Sequence, residues 1–445
     1  MFSSSSAATN NISNGGNNNS NSNAEEMSLL ASPPGSMDFD HHKAGVARLN
    51  HASFGAAPKP VLQVQEEFRQ SWLAQPDEWY FSGQLHESVR KATAAAGQVL
   101  VPANKTLPKD QICLVENSTV AACAVAYRWR SKMRPGDVVV HFNFAYQSCI
   151  YILKEYCHPC GATLAPLNLP FFRDEKITQH DILDSLRQQL QQLADNGLRP
   201  KFAFLDHITS QPSMLLPIKE IIALVREYGD DRQGVEVCVD GAHAVGSVSD
   251  LDVLDLDCDF YFSNFHKWGF GPPTATVMWS KYLPEMKHPI VSWAWGSGMA
   301  EESLFPGSRD FSAIMSVPAA VEYLQTWRSS EGLNSAEYCH QNVLQAAAKL
   351  RNDWGTAGDE VDIKLVATQA MVPLPKELLV TDLPGQKSQQ RGLRDILRQD
   401  CRMEASVSAF GDQGAYLRLS YAVYNAHEET QRLSDAVTDV LQKQQ

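Results

Sequence analysis

The chain has 445 residues and a formal net charge of −13, with 44% hydrophobic and 20% charged residues. This length suffices for one large domain or two ordinary ones, with a core that needs no disulfide or structural metal. The acidic balance, with no basic stripe to offset it, argues against a nucleic-acid partner. No run of about 18 apolar residues occurs, so we expect no membrane span.

The first part of the chain is polar and poor in basic residues. Residues 1–24 contain seven Ser and eight Asn, and the first basic residue is Lys43. Such a segment cannot bury enough apolar surface to fold, so we predict a disordered tail over residues 1–42. Its lack of Arg and of an apolar stretch argues against a transit or signal peptide, and the expected location is cytoplasmic.

The nine cysteines are odd in number, and most lie within apolar runs, as buried reduced thiols do. Cys157 and Cys160 form the only tightly spaced pair, in the stretch Cys-His-Pro-Cys. A single such pair without a second one does not predict a zinc site. We therefore expect no metal.

Short apolar runs alternate with amphipathic helical stretches across residues 43–310, which predicts a large α/β domain. Its sheet should be mainly parallel and seven-stranded, because the runs are continuously apolar, as strands covered on both faces are. The predicted strands are 111–115, 137–142, 162–167, 202–207, 235–240, 260–263 and 275–279. Ligands of such sheets bind at the carboxyl ends of the strands.

Residues 311–445 show a different pattern, which predicts a smaller C-terminal α+β domain. Longer helices are predicted first, and a strand and a terminal helix complete the domain. The predicted elements are helices 312–327, 336–354 and 388–398, an extended stretch at 365–373 and a strand at 416–420.

Lys267 follows the predicted strand 260–263 and stands between His266 and Trp268. An amine in this position is partly removed from water, which lowers its pKa and frees its lone pair for Schiff-base chemistry. An isolated lysine would ordinarily be a solvated surface residue. The surrounding residues favour a lysine that carries pyridoxal 5′-phosphate.

Asp240 ends the predicted strand 235–240 and precedes Lys267 by 27 residues. A carboxylate at the end of a buried strand needs a cationic partner to stay ionised. A protonated pyridine nitrogen would be such a partner, and the pair would make the cofactor ring an electron sink. By itself the motif also fits an aspartate that caps the next helix.

Asn117, Ser118 and Thr119 follow the first strand and open an Ala-rich helix. The free N–H groups of a helix N-terminus together with two hydroxyls make a phosphate-binding site, although the same residues also serve as an ordinary N-cap. Tyr146 follows the next strand, where its ring could stack on a cofactor or pack in the core.

Arg418 lies within the otherwise apolar strand 416–420. A buried guanidinium needs an anion, and two-point capture of a substrate carboxylate is one use of it. A structural ion pair is the alternative.

Together these stretches give the chain a specific family resemblance. Asp240-x-x-His243, Asn264-x-His266-Lys267-Trp268 and Arg418-x-Ser420 resemble enzymes of the class V aminotransferase group, which have the fold type I architecture. Residues 49–55 and 307–310 resemble the isopenicillin N epimerase-like branch. Residues 75–81, 206–210 and 239–248 are similar to the L-cysteine desulfhydrase proteins of plants. The resemblance runs from about residue 46 to residue 440.

The resemblance implies a role for each matching residue. Lys267 would be the catalytic base and Schiff-base lysine, and Asp240 would pair with the ring nitrogen. Arg418, Asn50 and His51 would bind the substrate. The remaining cofactor contacts would come from Asn117, Ser118, Thr119, Tyr146, Ser210, His243, Asn264 and His266, with Ser308 reaching the phosphate of the opposite subunit in a homodimer.

The resemblance implies a pyridoxal-phosphate-dependent carbon–sulfur lyase that converts L-cysteine to sulfide, pyruvate and ammonia. An amino-acid epimerase shares the steps up to removal of the Cα proton, and a lyase of a larger cysteine conjugate is also open. A catalytically dead binding module is the alternative outside the enzyme class. Retention of Lys267, Asp240 and Arg418 together argues against it.

Overall fold

The computed structural model describes residues 36–171, 176–229, 234–356, 362–378 and 391–444. Residues 1–35 of the predicted tail lie outside the described residues. Residues 36–42 were assigned to the same tail, but Ser36–Phe39 forms a 3-10 helix and the side chain of Phe39 is buried. Phe39 packs on the ring of Tyr424, with 4.9 Å between the ring centroids, so an apolar anchor holds this segment against the C-terminal part of the chain.

The seven predicted strands of the large sheet are present in the described residues to within two residues at either end. The structure adds three short strands that the sequence does not predict, Ala47–Arg48, Met403–Glu404 and Ser406–Ala409. In the first half of the chain they are β1 Ala47–Arg48, β2 Ile112–Val115, β3 Val138–Phe142, β4 Thr163–Leu167, β5 Pro200–Asp206 and β6 Glu236–Asp240. In the second half they are β7 Phe260–Asn264, β8 Thr276–Ser280, β9 Gln369–Pro373, β10 Met403–Glu404, β11 Ser406–Ala409 and β12 Ala415–Ser420.

Helices cover both faces of the large sheet and one side of the small one. The first eight helices are α1 His51–Phe54, α2 Lys59–Ala74, α3 Pro76–Phe81, α4 Gln84–Gly97, α5 Ser118–Lys132, α6 Gln147–Cys157, α7 Gln179–Asp195 and α8 Ile218–Glu227. The others are α9 Phe265–Trp268, α10 Met299–Glu302, α11 Ser312–Met315, α12 Val317–Thr326, α13 Ser335–Trp354, α14 Leu393–Gln399 and α15 His427–Gln444. The predicted helix 312–327 is divided into α11 and α12, with a proline in the first turn of α12.

The large sheet has seven strands in the order β2-β8-β7-β6-β5-β3-β4. All neighbouring strands are parallel except β8, which runs antiparallel to both β2 and β7. Every residue of β2, β3, β7 and β8 is buried, as expected for strands covered on both faces. The predicted α/β fold with a mainly parallel seven-stranded sheet is confirmed.

A second, antiparallel sheet has the order β11-β12-β9, and Arg418 lies on its central strand β12. Its core includes Ala47 and Leu49 from the N-terminal segment as well as C-terminal residues. The core of the large sheet in turn includes Val317 and Val321 of α12. Elements from both sides of residue 310 therefore share these cores. The cores do not mark a boundary at this residue, and the predicted domain boundary stays a prediction.

Among the described residues, no helix is long and apolar enough to cross a bilayer.

Candidate active site

Lys267 lies on α9, a single helical turn that directly follows β7. Phe265 and Trp268 on either side of it are buried, and they fix the turn against the core. The Nζ atom of Lys267 lies 2.9 Å from Nε2 of His243. Burial lowers the pKa of Lys267 to about 8, even though the negative charge of Asp240 acts to raise it. A lysine of this kind has an appreciable neutral fraction near physiological pH, as nucleophilic and basic lysines require.

Two glycines allow other segments to approach the α9 turn closely. A Cβ atom on Gly55 would lie 1.4 Å from the carbonyl oxygen of His266, and one on Gly246 would lie 2.0 Å from that of Trp268. Both glycines also have a positive φ, +63° and +79° respectively. Only glycine combines this backbone conformation with this lack of bulk, so the two residues help to fix the position of Lys267.

Asp240 is the last residue of β6, and its carboxyl group is buried. Its Oδ1 atom accepts the backbone N–H of Ala242 at 2.9 Å, and the thiol of Cys149 lies 3.6 Å from Oδ2. Burial raises the pKa of Asp240, while the hydrogen bond from Ala242 and the charge of Lys267 act to lower it. Asp240 thus lines the same cavity as Lys267, where its carboxyl group can interact with a cationic group of a bound ligand.

Asp206 lies directly opposite Asp240 on the neighbouring strand β5, at the same position in the register. It is buried, it lines the cavity, and its Oδ2 atom has no hydrogen-bond partner among the described residues. Burial and then the charge of Asp240 raise its pKa well above the usual value. Two adjacent buried carboxyl groups are unfavourable when both are ionised, and burial together with the charge of Asp240 favours the protonated form of Asp206.

The N-terminus of α5 forms a second wall of the cavity. Asn117 caps the helix by accepting the N–H of Val120 at 3.1 Å. The hydroxyl of Ser118 donates to Oδ1 of Asn264 at 2.9 Å, which joins this helix to the end of β7. Thr119 and His266 complete the wall, and Nδ1 of His266 is buried without a partner among the described residues. Backbone N–H groups, hydroxyls and an imidazole nitrogen are the donors that a phosphate group needs.

Arg418 is buried, and its hydrogen-bond partners among the described residues are neutral oxygen atoms. Nη1 donates to the carbonyl oxygen of Ser210 at 3.0 Å and lies 3.3 Å from its hydroxyl. Nη2 donates to Oδ1 of Asn50 at 3.0 Å and to the hydroxyl of Ser53 at 2.6 Å. Burial lowers the pKa of Arg418 to about 10.

No carboxylate forms an ion pair with Arg418 within the part of the chain that the structure describes. The structural ion pair considered from the sequence is therefore absent from these residues. A buried cation with neutral partners retains the capacity to bind an incoming anion.

These groups line one cavity of about 370 Å³. Of the predicted site residues it includes Asn117, Ser118, Thr119, Tyr146, Ser210, Asp240, His243, Asn264, His266, Lys267 and Arg418. Among the described residues, no group of three or more His, Cys, Asp or Glu side chains could hold a metal ion.

Three predicted residues do not line this cavity. Asn50 lies behind it and supports Arg418. His51 is buried, with its ring centroid 4.5 Å from that of Trp268 and its Nδ1 atom 2.9 Å from the hydroxyl of Tyr424. Ser308 is exposed on a surface turn. The wall formed by the N-terminal segment consists instead of Ala52, Ser53 and Phe54.

The profile of the aminotransferase class-V family matches residues 49–352 of the chain. This range includes every strand of the large sheet and the lysine-bearing turn α9. The chain belongs to the aminotransferase class V family.

Two relatives illustrate where this class V chain stands within the family. An L-cysteine desulfhydrase of Arabidopsis thaliana is 32% identical over 442 residues, which cover 94% of this chain and 92% of the relative. An isopenicillin N epimerase of Streptomyces clavuligerus is 25% identical, over 88% of this chain and 94% of the relative. The resemblance stated from the sequence is confirmed.

Solved structures confirm the fold. The cystine C–S lyase C-DES, in complex with its reaction product cysteine persulfide, superposes with a TM-score of 0.69 at 16% identity, over 89% of this chain and 98% of that one. A cysteine desulfurase from Thermococcus onnurineus NA1 gives 0.68 at 14% identity, over 89% and 95%.

The family assignment supports pyridoxal 5′-phosphate as the cofactor, and the site of this class V chain fits it. The cofactor presents a phosphate, a ring nitrogen and an aldehyde. The cavity offers the donor-rich N-terminus of α5, the carboxyl group of Asp240 and the amine of Lys267. Two buried ring nitrogens without partners among the described residues, Nδ1 of His243 and Nδ1 of His266, are further atoms that can form hydrogen bonds with a ligand.

Sequence reasoning missed several residues of the cavity, namely Ser53, Phe54, Cys149, Asp206, Gln211, Arg394 and Ser406. For Asp206 a signal was available, because it is the next-to-last residue of the predicted strand 202–207, close to the strand end where such sheets bind ligands. The others face the cavity only because distant segments pack together, and no local pattern marks them.

Proposed function

We propose that this chain is a pyridoxal-phosphate-dependent carbon–sulfur lyase that acts on L-cysteine and releases sulfide, pyruvate and ammonia. The observation that carries the proposal is that Lys267 and Arg418 line the same cavity, and that the partners of Arg418 among the described residues are neutral groups. Similarity to L-cysteine desulfhydrases over nearly the whole chain supports the choice of substrate.

The residues of the chain divide the work of this reaction. Arg418 would bind the carboxylate of the amino acid and thereby orient its Cα–H bond. Lys267, partly neutral because burial lowers its pKa to about 8, would take the Cα proton at Nζ. Asp240 would provide the negative charge that keeps the ring nitrogen protonated. The bound cofactor supplies the electron sink for the pair released from Cα.

The sulfur atom would leave as free sulfide because the site lacks a suitable thiol acceptor. The turn between β11 and β12, residues 410–414, contains no cysteine, and Cys401 does not line the cavity. Cys149 lines it, but burial and then the charge of Asp240 raise the pKa of its thiol well above the usual value. A protonated, buried thiol is a poor nucleophile.

A homodimer is part of the proposal. The loop that precedes α10 exposes Ile290, Val291, Trp293 and Trp295, and the side chain of Trp293 is 96% exposed. The buried carboxylate of Glu302 anchors this loop by accepting the N–H groups of His288 at 2.8 Å and Gly296 at 2.7 Å. A fixed, exposed apolar loop is typical of a protein interface, and a second copy of this chain is the proposed partner.

The proposed location is the cytoplasm. All nine cysteines are free, and six of them are buried in the cores. A chain with many free thiols and no disulfide suits a reducing compartment.

Product analysis with L-cysteine tests the proposed reaction. Sulfide and pyruvate in equal amounts, with little alanine and little D-cysteine, are expected. Alanine as the main product would indicate a desulfurase, and D-cysteine would indicate an epimerase; either result would replace the proposal.

A further inference from the structure

A second arginine lines the active-site cavity besides Arg418. Arg394 lies in the first turn of α14. It is exposed, and it lines part of the cavity. Helix α14 packs against β11, the strand next to the one that carries Arg418. Burial is the main cause of the lowered pKa of Arg418, and the positive charge of Arg394 is the second cause. The two guanidinium groups are therefore close enough to interact electrostatically.

The surface between the two arginines is polar. Ser406 on β11 lies directly opposite Arg418 in the antiparallel register, and both line the cavity. Gln211 donates to the hydroxyl of Ser406 at 2.6 Å and accepts from that of Ser408 at 2.5 Å. Gln211, Ser406 and Arg394, here called the polar wall, line the cavity together with Arg418, and Arg394 is the exposed member.

L-Cysteine is too short, and has too few charged groups, to contact both Arg418 and the whole polar wall. Its one carboxylate is accounted for by Arg418, and its side chain ends at the sulfur atom, one bond beyond Cβ. An arginine on the cavity wall offers N–H donors and a positive charge to an anionic group of a ligand. The polar wall and Arg394 therefore suit a group attached to the sulfur atom that ends in a negative charge.

We propose that the site accepts L-cysteine S-conjugates whose S-linked group carries a carboxylate, and that Arg394 is the residue that selects them. The inference rests on the proposed lyase function. In the reaction the Cβ–S bond breaks and its electron pair leaves on sulfur, which takes a proton to give the carboxylate-bearing thiol. One water molecule then enters as the three-carbon fragment becomes pyruvate and ammonium.

A matched pair of substrates isolates the charge that Arg394 would recognise. S-Carboxymethyl-L-cysteine and S-carboxamidomethyl-L-cysteine have nearly the same shape, but only the first has a second carboxylate. The wild-type holoenzyme should prefer the first by about three- to fivefold in kcat/KM, the effect of one partly exposed ion pair. Raising the potassium chloride concentration should reduce this ratio.

Substitution of the arginine should then remove the preference. Arg394→Gln should bring the ratio close to one, and Arg394→Glu should invert it. The control is Arg391→Gln, which removes an exposed arginine that pairs with Asp400 and does not line the cavity. It should keep the wild-type ratio.

The outcomes separate this inference from the proposed function. If neither L-cysteine nor either conjugate yields pyruvate, the lyase function is wrong. If L-cysteine is cleaved but the ratio is the same in the wild type and in Arg394→Gln, the role of Arg394 is wrong. If the conjugates bind without being cleaved, their inhibition constants are measured against cleavage of L-cysteine. The ratio of these two constants, compared between the wild type and Arg394→Gln, then tests the role of Arg394 in the same way.

Discussion

The Nζ atom of Lys267 lies 2.9 Å from Nε2 of His243, and both residues line the cavity. Burial, and then the charge of Lys267, hold the pKa of His243 well below its usual value, so the imidazole is neutral. While Lys267 is in its ammonium form it can only donate, so in that state Nε2 accepts and the proton of the ring is on Nδ1. Nδ1 is buried and has no partner among the described residues, which leaves its N–H group available to a bound ligand.

The lowered pKa of Lys267 predicts how cofactor capture depends on pH. Only the neutral amine attacks an aldehyde, so the rate at which the apoenzyme and pyridoxal phosphate develop visible absorbance should rise with pH and level off above about 8. An ordinary lysine would show a rise that continues to about pH 10.4, and such a profile would contradict the prediction. Lys267→Ala should develop no such absorbance and no turnover, whereas Lys219→Ala, which removes an exposed lysine, should behave as wild type.

Replacement of Arg418 should weaken substrate binding while sparing the cofactor. Loss of a charge-assisted contact should raise the KM for L-cysteine in Arg418→Ala by about 10- to 100-fold. The visible spectrum of the bound cofactor should change little, because the hydrogen bonds of Arg418 go to Ser210, Asn50 and Ser53 and not to Lys267 or the N-terminus of α5. Arg398→Ala, at an exposed position, is the control. An unfolded Arg418→Ala variant together with a normal KM in Arg418→Lys would mark Arg418 as structural.

The two carboxyl groups of Asp206 and Asp240 should respond differently to replacement by asparagine. Because burial favours the protonated form of Asp206, an amide is a close substitute, and Asp206→Asn should keep most of the activity. Asp240→Asn removes the proposed anion at the ring nitrogen and should lower kcat by about 100-fold or more. Circular dichroism checks that both variants fold. Equal losses in the two variants would show that the roles of the two carboxyl groups are not distinct.

The absence of a thiol acceptor predicts that neither candidate cysteine is needed for sulfur release. Cys401→Ser and Cys149→Ala should both still produce sulfide and pyruvate from L-cysteine. Mass spectrometry of the wild-type protein after turnover should find no persulfide on either residue. A persulfide on Cys401, with alanine as the product, would identify a desulfurase mechanism.

The exposed loop with Trp293 and Trp295 should lie in the subunit interface. A charge in an apolar interface is strongly unfavourable, so Trp293→Glu should shift the protein from dimer to monomer in light scattering. Trp293→Phe preserves an apolar ring and should remain dimeric. Wild-type protein that is monomeric and active would disprove the dimer.

The large sheet and the main candidate residues could be predicted from the sequence because their signals are local. Buried parallel strands appear as short apolar runs, and residues that end such strands must meet at one edge of the sheet. Lys267, Asp240, Asn264 and Ser118 could therefore be placed together without knowledge of the strand order. Lys267 and Arg418, which no strand register links, were paired through the family resemblance alone.

Contacts between distant segments were decided only by the tertiary structure. Asp206 lies beside Asp240 because β5 pairs with β6 in one particular register, and strand pairing leaves no trace in either strand's own sequence. Likewise, Arg418 meets Asn50 and Ser53, 368 and 365 residues earlier in the chain, only because the N-terminal segment packs across both sheets. Hydrophobic periodicity reports which face of an element is buried but not which element covers it, so these neighbours emerge only when the chain is folded.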